Sequence, residues 1–335
     1  MKAFRMEAPG VAAVVEIHDL TAKPGDVLLQ VKMVGMCGTD LNTYRGRNAM
    51  VTFPRVPGHE VAAVVVEGGG DLAAGTAVTI SPYSNCGICP ACRRGRINAC
   101  QRNETLGVQR DGAMTEYISV PREKIYAARL TLKELALVEP LTVGFHAAAR
   151  GRVGAQDSVA VFGCGGVGLG AIASAAFRGA ETIAIDMDDA KLEVARKAGA
   201  THLIHSSRED LHERLSAITG GQGPDVMIEA IGLPQTFRAA VDEVAFTGRV
   251  VYIGYAKEPV AYETRLFVQK ELDILGSRNA LPEDFREVIR MLEAGRFPVE
   301  DAVSRVVPIE DAARVLGEWS DAPARFTKIM VQIGS

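Results

Sequence analysis

Val159-Ala160-Val161-Phe162-Gly163-Cys164-Gly165-Gly166-Val167-Gly168 is a short apolar run that ends in a G-x-G-x-x-G pattern and opens onto the helix-forming run Leu169–Phe177. The glycine pattern alone is weak. Between a strand and a helix it has a mechanism: the glycines permit a tight turn, let backbone N–H groups approach a pyrophosphate, and present a helix N-terminus to its charge. Asp186 ends the next predicted strand, 18 residues after Gly168. A carboxylate there can accept hydrogen bonds from the adenosine ribose hydroxyls and would repel a 2′-phosphate, which favours NAD over NADP. The competing reading is that the glycines only pack a helix against a strand. The same segment carries no charge over the 19 residues Val159–Phe177, as a membrane span would. Its five glycines and its strand-like start fit a strand–turn–helix unit better.

Working outward, apolar runs alternate with helical patterns. The predicted strands are Ser158–Phe162, Thr182–Asp186, His202–His205, Asp225–Glu229, Arg249–Ile253 and Leu272–Leu275. Asp188–Ala198 has helical spacing and is stopped by Gly199. This alternation implies a parallel sheet covered on both faces, and six strands complete a dinucleotide-binding fold. Before it lie short β-like runs, among them Val27–Val34, Val61–Val66, Ala77–Ile80 and Met114–Val120. They are broken by Pro24-Gly25, Pro57-Gly58 and Gly68-Gly69-Gly70, the texture of an irregular, mostly antiparallel β domain. After it come two helical patterns, Glu283–Glu293 and Ile309–Trp319, and a strand-like run, Lys328–Ile333. These exceed what the parallel sheet needs, so they are expected to return to the first domain.

With 335 residues the chain has room for about two domains. Hydrophobic residues at 47% and charged residues at 23% are ordinary for a globular chain. The net charge of −4 and the lack of a long basic run argue against binding nucleic acid or an anionic membrane. Met1–Asp19 reads as two short strands, not a signal peptide, which leaves the cytoplasm as the expected location.

Four of the six cysteines, Cys86, Cys89, Cys92 and Cys100, form a C-x2-C-x2-C-x7-C cluster. In a reducing compartment such a cluster is expected to hold metal. Four thiolates suit a closed tetrahedral Zn2+ site that leaves no position for water, hence a structural one. The nearby Arg93-Arg94-Gly95-Arg96 would offset its charge. An iron–sulfur cluster is the chemical alternative. A second, mixed set is scattered: Cys37-Gly38-Thr39-Asp40, Gly58-His59-Glu60 and Glu139-Pro140-Leu141. Thiolate, imidazole and carboxylate together suit a catalytic zinc with an open position. Singly, Cys37 could be a buried apolar residue, His59 a turn residue and Glu139 a surface acid.

These motifs, with Asp111-Gly112-Ala113, Glu116-Tyr117 and Gly248-Arg249-Val250, make the chain resemble the zinc-containing medium-chain dehydrogenases over essentially its whole length. It is most similar to the polyol, threonine and sugar-acid (L-galactonate-type) branch, which carries Glu-Pro-Leu where classical alcohol dehydrogenases carry a third ligand cysteine. The resemblance implies an α/β architecture. A GroES-like irregular β catalytic domain would span residues 1–143 and 282–335, with a structural zinc lobe over 84–102. A Rossmann NAD-binding domain with a six-stranded parallel sheet would span 144–281. It implies that Cys37, His59 and Glu60 ligate the catalytic zinc, that Glu139 sits beside it as ligand or through water, and that Thr39 accepts the alcohol proton. Gly163, Gly165, Gly166, Val167, Gly168, Asp186, Lys191, Ile253, Gly254, Ser277 and Arg278 match cofactor positions.

Two positions depart from the family pattern. Asn42 stands where a histidine often passes the proton onward, and an amide is no base near neutral pH. Gly75-Thr76-Ala77-Val78 replaces the usual Gly-Asp-Arg-Val. The implied activity is hydride transfer between nicotinamide and a secondary alcohol or ketone. Tyr44, Arg45, Arg47 and Asn48, with Arg278 and Asn279, suit a hydroxylated or anionic small molecule if they face the cleft: a sugar acid, polyol or polyol phosphate. An L-threonine 3-dehydrogenase and a general secondary-alcohol dehydrogenase are the alternatives in the same chemistry. A nucleotide-binding zinc protein without turnover is the alternative outside it. Family members are usually homodimers or homotetramers, and Leu272–Leu275, if it lies at a sheet edge, could pair between subunits.

Overall fold

The computed structural model describes residues 1–18, 20, 22–67 and 71–334. The Gly68-Gly69-Gly70 break lies outside them. The chain divides into two compact units, residues 1–139 with 299–335, and residues 140–298.

The second unit is built on six parallel strands: β1 (Ser158–Phe162), β2 (Glu181–Asp186), β3 (His202–His205), β4 (Val226–Glu229), β5 (Arg249–Tyr252) and β6 (Asp273–Gly276). Their spatial order is β3-β2-β1-β4-β5-β6. All neighbours are parallel. The order reverses between β1 and β4, and in such sheets ligands bind at the carboxyl ends of the strands at that reversal. Helices Gly166–Phe177, Asp189–Lys197, Leu211–Ile218, Pro234–Glu243 and Thr264–Gln269 connect successive strands. The Asp188 side chain caps the second of these by accepting from the N–H groups of Ala190 and Lys191. Ile183, Ile185, Ile204, Met227 and Val250 fill the core between sheet and helices.

The expected strands match the observed ones to within a residue at either end. The segment Val159–Phe177 is a strand, a turn and a helix. Among the described residues no helix is long and apolar enough to cross a membrane. The helix Pro282–Glu293 lies in this unit, not with the tail as expected. Its Asp284 is buried against His146, with Nδ1 and Oδ2 2.9 Å apart. The sequence analysis places no element over the helix Leu132–Arg150, which carries Pro140 in its middle. The division between units falls within it, between Glu139 and Pro140.

The first unit holds a mostly antiparallel sheet. In spatial order its strands are Arg305–Pro308, Ile329–Gln332, Asp26–Met36, Glu60–Val65, Ala77–Ile80 and Ile125–Ala127, with Tyr117–Pro121 also paired to Asp26–Met36. The long strand Asp26–Met36 is its spine. The tail strand Ile329–Gln332 lies antiparallel on its end, which brings the start of that strand beside Met36, the residue before Cys37. Of the expected run Met114–Val120, only the later part is strand. Met114 instead exchanges bonds with Phe4 and Pro57.

Candidate functional site

Cys37, His59 and Glu60 come together in the first unit, with one donor atom of each lying within 4.8 Å of the others. Local structure explains the meeting. Cys37 follows the spine strand and caps the short helix Gly38–Tyr44; its N–H donates to Asp40 Oδ2 at 2.8 Å. Glu60 begins the neighbouring strand and pairs with Gly35. A Cβ at Gly35 would stand 1.9 Å from Glu60 Oε2, so the carboxylate occupies the space that a side chain there would fill. His59 and Glu60 are 5% and 0% exposed. His59 Nδ1 and Asp40 Oδ1 are buried without hydrogen-bond partners. Burial opposes a charged imidazole at His59, but the Cys37 sulfur, Asp40 and Glu139 outweigh it and hold its pKa well above the ordinary histidine value. The imidazole thus lies among groups that favour positive charge. A thiolate, an imidazole and a carboxylate are the donor set a divalent zinc takes.

Glu139 stands outside that three-donor group. It is buried, and burial raises its pKa above the ordinary carboxyl value. Its Oε1 accepts a hydrogen bond from the hydroxyl of Tyr83. Burial, then the Glu139 charge, pushes the Tyr83 phenol far up, so it remains a donor. The Lys328 ammonium holds Glu60 at both oxygens and also donates to Met36 O at 3.2 Å. Burial opposes the lysine charge, yet Glu60 leads the groups that keep its pKa raised. Sequence reasoning missed both Tyr83 and Lys328. The only signal was a lysine heading the apolar run of the tail strand. Thr39 Oγ1 lies 3.7 Å from Cys37 Sγ, while Asn42 is exposed.

The Sγ atoms of Cys86, Cys89, Cys92 and Cys100 also lie within 4.8 Å of one another. Cys89 and Cys100 are 4.0 Å apart. The N–H groups of Cys86 and Arg102 point at Cys100 Sγ from 3.4 and 3.3 Å. Backbone N–H groups, that of Cys92 first, pull the Cys89 thiol down to about 6. Such donors favour the thiolate at Cys89, the form that binds metal, while burial and the Cys89 sulfur push the Cys92 thiol up to about 11. The four sulfurs fit a closed tetrahedral ion.

In the second unit the fingerprint turn leaves β1 with Gly163 at φ +93°. A Cβ at Gly168 would collide with Gly163 O at 1.8 Å. Asp186, ending β2, accepts from the N–H of Cys164 at 2.8 Å on one oxygen, and from those of Met187 (2.7 Å) and Asp188 (3.2 Å) on the other. Gly165, Gly166 and Val167 open the following helix, and Lys191 sits on the helix after β2. Ile253 and Gly254 follow β5, and Ser277 and Arg278 follow β6. All of these candidates therefore gather near the carboxyl ends of the parallel strands. Ser277 Oγ is buried without a hydrogen-bond partner. Glu229, ending β4 at the strand reversal, went unnoticed in the sequence. It is fully buried, and its Oε1 accepts from the N–H groups of Ile231 and Gly232 and from the Thr236 hydroxyl.

The substrate candidates are divided between the two units. Tyr44 packs on the core of the first unit, with Gly317 beside its hydroxyl. Arg45 binds Ser320, and Asn48 donates to Thr43 Oγ1 at 3.1 Å. Tyr44 and Arg45 tie the helix Gly38–Tyr44 to the helix Ala312–Asp321, and only Arg47 among the four is exposed. Arg278 and Asn279 belong to the second unit, where Asn279 has φ +52°.

Residues 23–129 match the family model for the alcohol dehydrogenase GroES-like domain, and residues 166–294 match that for zinc-binding dehydrogenases. The chain is 32% identical to an uncharacterized zinc-type alcohol dehydrogenase-like protein of Haemophilus influenzae, over 98% of each chain. It is 34% identical to the L-galactonate-5-dehydrogenase of Escherichia coli K12, over 87% of each. Among solved structures it is similar to an alcohol dehydrogenase (rspB) from E. coli CFT073 complexed with NADH, with TM-score 0.91, 28% identity and 99% of each chain covered.

Proposed function

The chain belongs to the zinc-type alcohol dehydrogenase family, and we propose that it is a zinc- and NAD-dependent oxidoreductase interconverting a secondary alcohol and a ketone on a sugar acid, polyol or polyol phosphate. The observation that carries this reading is the convergence of Cys37, His59 and Glu60 on one cation site. When bound, zinc supplies Lewis acidity toward the substrate oxygen, and NAD accepts or returns the hydride.

The protein's own groups do the rest. Cys37 and Glu60 bring negative charge and His59 a neutral nitrogen, leaving room for substrate oxygen. Thr39, beside Cys37, takes the alcohol proton on its hydroxyl. Asn42 carries no base, so the proton passes from Thr39 to water. The glycine turn and the N-terminus of Gly166–Phe177 hold the pyrophosphate. Val167, Lys191, Ile253, Gly254, Ser277 and Arg278 complete the nucleotide contacts. Asp186, already fixed by three N–H groups, receives the adenosine ribose hydroxyls. The four-cysteine lobe holds the structural zinc.

The substrate class rests on the kinship with L-galactonate-5-dehydrogenase and on the exposed Arg47 and Arg278. As an edge strand exposing Ile274, β6 supports a homodimer or homotetramer formed by strand pairing. The test is to follow NADH absorbance with aldonic acids, polyols, their phosphates, threonine and simple secondary alcohols. Fastest turnover on a polyhydroxylated compound is expected. A preference for threonine or a simple alcohol would overturn the substrate class, and NAD binding with no oxidation of any compound would overturn the catalytic reading.

A further inference from the structure

The order of the parallel sheet reverses at β4, whose last residue is Glu229, in register with Phe162 of β1 on one side and Tyr252 of β5 on the other. A fully buried carboxyl group in that setting is costly unless its bonds compensate. Those bonds tie two loops together. Oε1 accepts from the N–H groups of Ile231 (3.0 Å) and Gly232 (2.8 Å), on the loop after β4. It also accepts from the Thr236 hydroxyl at 2.7 Å, in the first turn of the helix Pro234–Glu243. The Glu229 backbone oxygen accepts from the N–H groups of Ile253 (2.9 Å) and Gly254 (3.1 Å), on the loop after β5. Oε2 is buried without a hydrogen-bond partner, and a Cβ at Gly254 would stand 2.4 Å from it. The loops also meet directly: Gly232 has φ +89°, and a Cβ there would stand 2.8 Å from Tyr255 O. The Glu229 side chain therefore fits where two backbones approach each other, each through a glycine.

We propose that Glu229 is a positioning residue for the nicotinamide half of the cofactor, its carboxylate holding the loops after β4 and β5 in the one arrangement against which that half binds. The inference rests on the reading of this unit as an NAD site. A dinucleotide fold is two mononucleotide halves that meet at the strand reversal. With the adenosine ribose on Asp186 at the end of β2, the half that begins at β4 takes the nicotinamide mononucleotide. Ile253 and Gly254, the cofactor candidates of that half, are the residues whose N–H groups Glu229 holds. Crowding three donors onto Oε1 and leaving Oε2 with none costs stability. An apolar side chain would avoid that cost and would leave the N–H groups of Ile231 and Gly232 without their acceptor. What the carboxylate adds is a fixed loop.

The experiment measures by calorimetry the affinity of the zinc-loaded protein for NADH and for AMP, which carries only the adenosine half. Glu229→Met removes both oxygens at similar volume. Glu229→Gln keeps an amide oxygen for the three donors. Thr236→Val removes one donor, whose proton goes to the carboxylate, at the shorter distance, in preference to Leu233 O at 2.9 Å. Glu229→Met is expected to lose about tenfold in NADH affinity, the scale of one hydrogen bond that binding must restore, with AMP affinity unchanged. Gln should bind NADH more tightly than Met, and Thr236→Val should show a smaller loss confined to NADH. Wild-type NADH affinity in Glu229→Met, equal losses for NADH and AMP, or a Gln variant no better than Met overturns the proposal. If Glu229→Met does not accumulate, Thr236→Val decides: a loss for NADH alone supports the proposal, and any other pattern overturns it. A wild-type protein that binds no NADH fails the NAD reading itself, before any variant is compared.

Discussion

Lys328 Nζ lies 2.6 and 2.7 Å from the two carboxylate oxygens of Glu60, and both side chains are buried. The pair joins the C-terminal tail strand to the start of the strand that carries the ligand motif. Removing one partner of a buried pair leaves an uncompensated charge, at a cost of roughly 3–5 kcal/mol. Lys328→Met should therefore destabilise the zinc-free protein by about that amount, and the zinc-loaded protein by much less, since the metal supplies the missing positive charge. Urea unfolding with and without chelator measures the difference. Equal losses in both states would mean that Glu60 is not shared between lysine and metal.

Gly35 gives an independent handle on the same carboxylate. A methyl group there would stand 1.9 Å from Glu60 Oε2, and the backbone partner of Glu60 cannot retreat without breaking the sheet. Gly35→Ala should push the carboxylate out of the donor set and weaken zinc at the mixed site by tenfold or more, the scale of altered metal shells. The four-cysteine zinc should remain. Zinc counted per chain after dialysis against a weak chelator checks this, and two zinc ions retained with normal turnover would contradict it.

The two metal sites should fail in different ways. His59→Ala removes an imidazole from a site that the fold does not need for closure, so turnover should vanish while NAD binding and the thermal midpoint stay near wild type. Cys89→Ser opens a lobe that owes its shape to four sulfurs, so folded yield and thermal midpoint should fall. Near-normal activity in His59→Ala would remove the basis of the catalytic assignment.

How far the sequence reaches depends on how local each signal is. The parallel sheet is legible because each strand is an apolar run between turn residues, and the Asp188 cap and Gly199 stop bracket one helix cleanly. The helix Leu132–Arg150 carries Pro140 in its middle, a residue that as a rule breaks helices, so its sequence does not read as one element. The helix Pro282–Glu293 has a clear apolar face, but periodicity does not say which core that face meets. The metal donors show themselves by residue type. Their restraints do not: Tyr83 is 56 residues from Glu139 in sequence, and Lys328 is 268 from Glu60. A lone tyrosine or lysine carries no mark of such a partner. Tyr44 illustrates the converse, since a polar tip in a promising loop turns out to pack on the core.

Cofactor choice turns on Asp186. Its carboxylate is held by three backbone N–H groups, one of them from the fingerprint turn itself. A rigid anion in that place accepts ribose hydroxyls well and meets a 2′-phosphate with unrelieved repulsion, because it cannot swing aside without abandoning those bonds. Asp186→Ala should lose affinity for NAD by about tenfold, the worth of one charge-assisted bond pair of about 1.5–3 kcal/mol less what water restores. NADP, with a 2′-phosphate in place of that hydroxyl, loses no such bond and gains from the removed charge, so the ratio of kcat/KM values shifts toward NADP from both sides. The turn should also loosen, as the Cys164 N–H loses its acceptor, which predicts weaker binding of NAD fragments containing only the pyrophosphate. Asp186→Asn separates the two effects: the amide oxygen can still accept from the turn, while the charge is gone. If Asn recovers fragment binding yet still admits NADP, then charge sets the preference and hydrogen bonding sets the turn. A cofactor preference unchanged in both variants would refute the ribose role of Asp186.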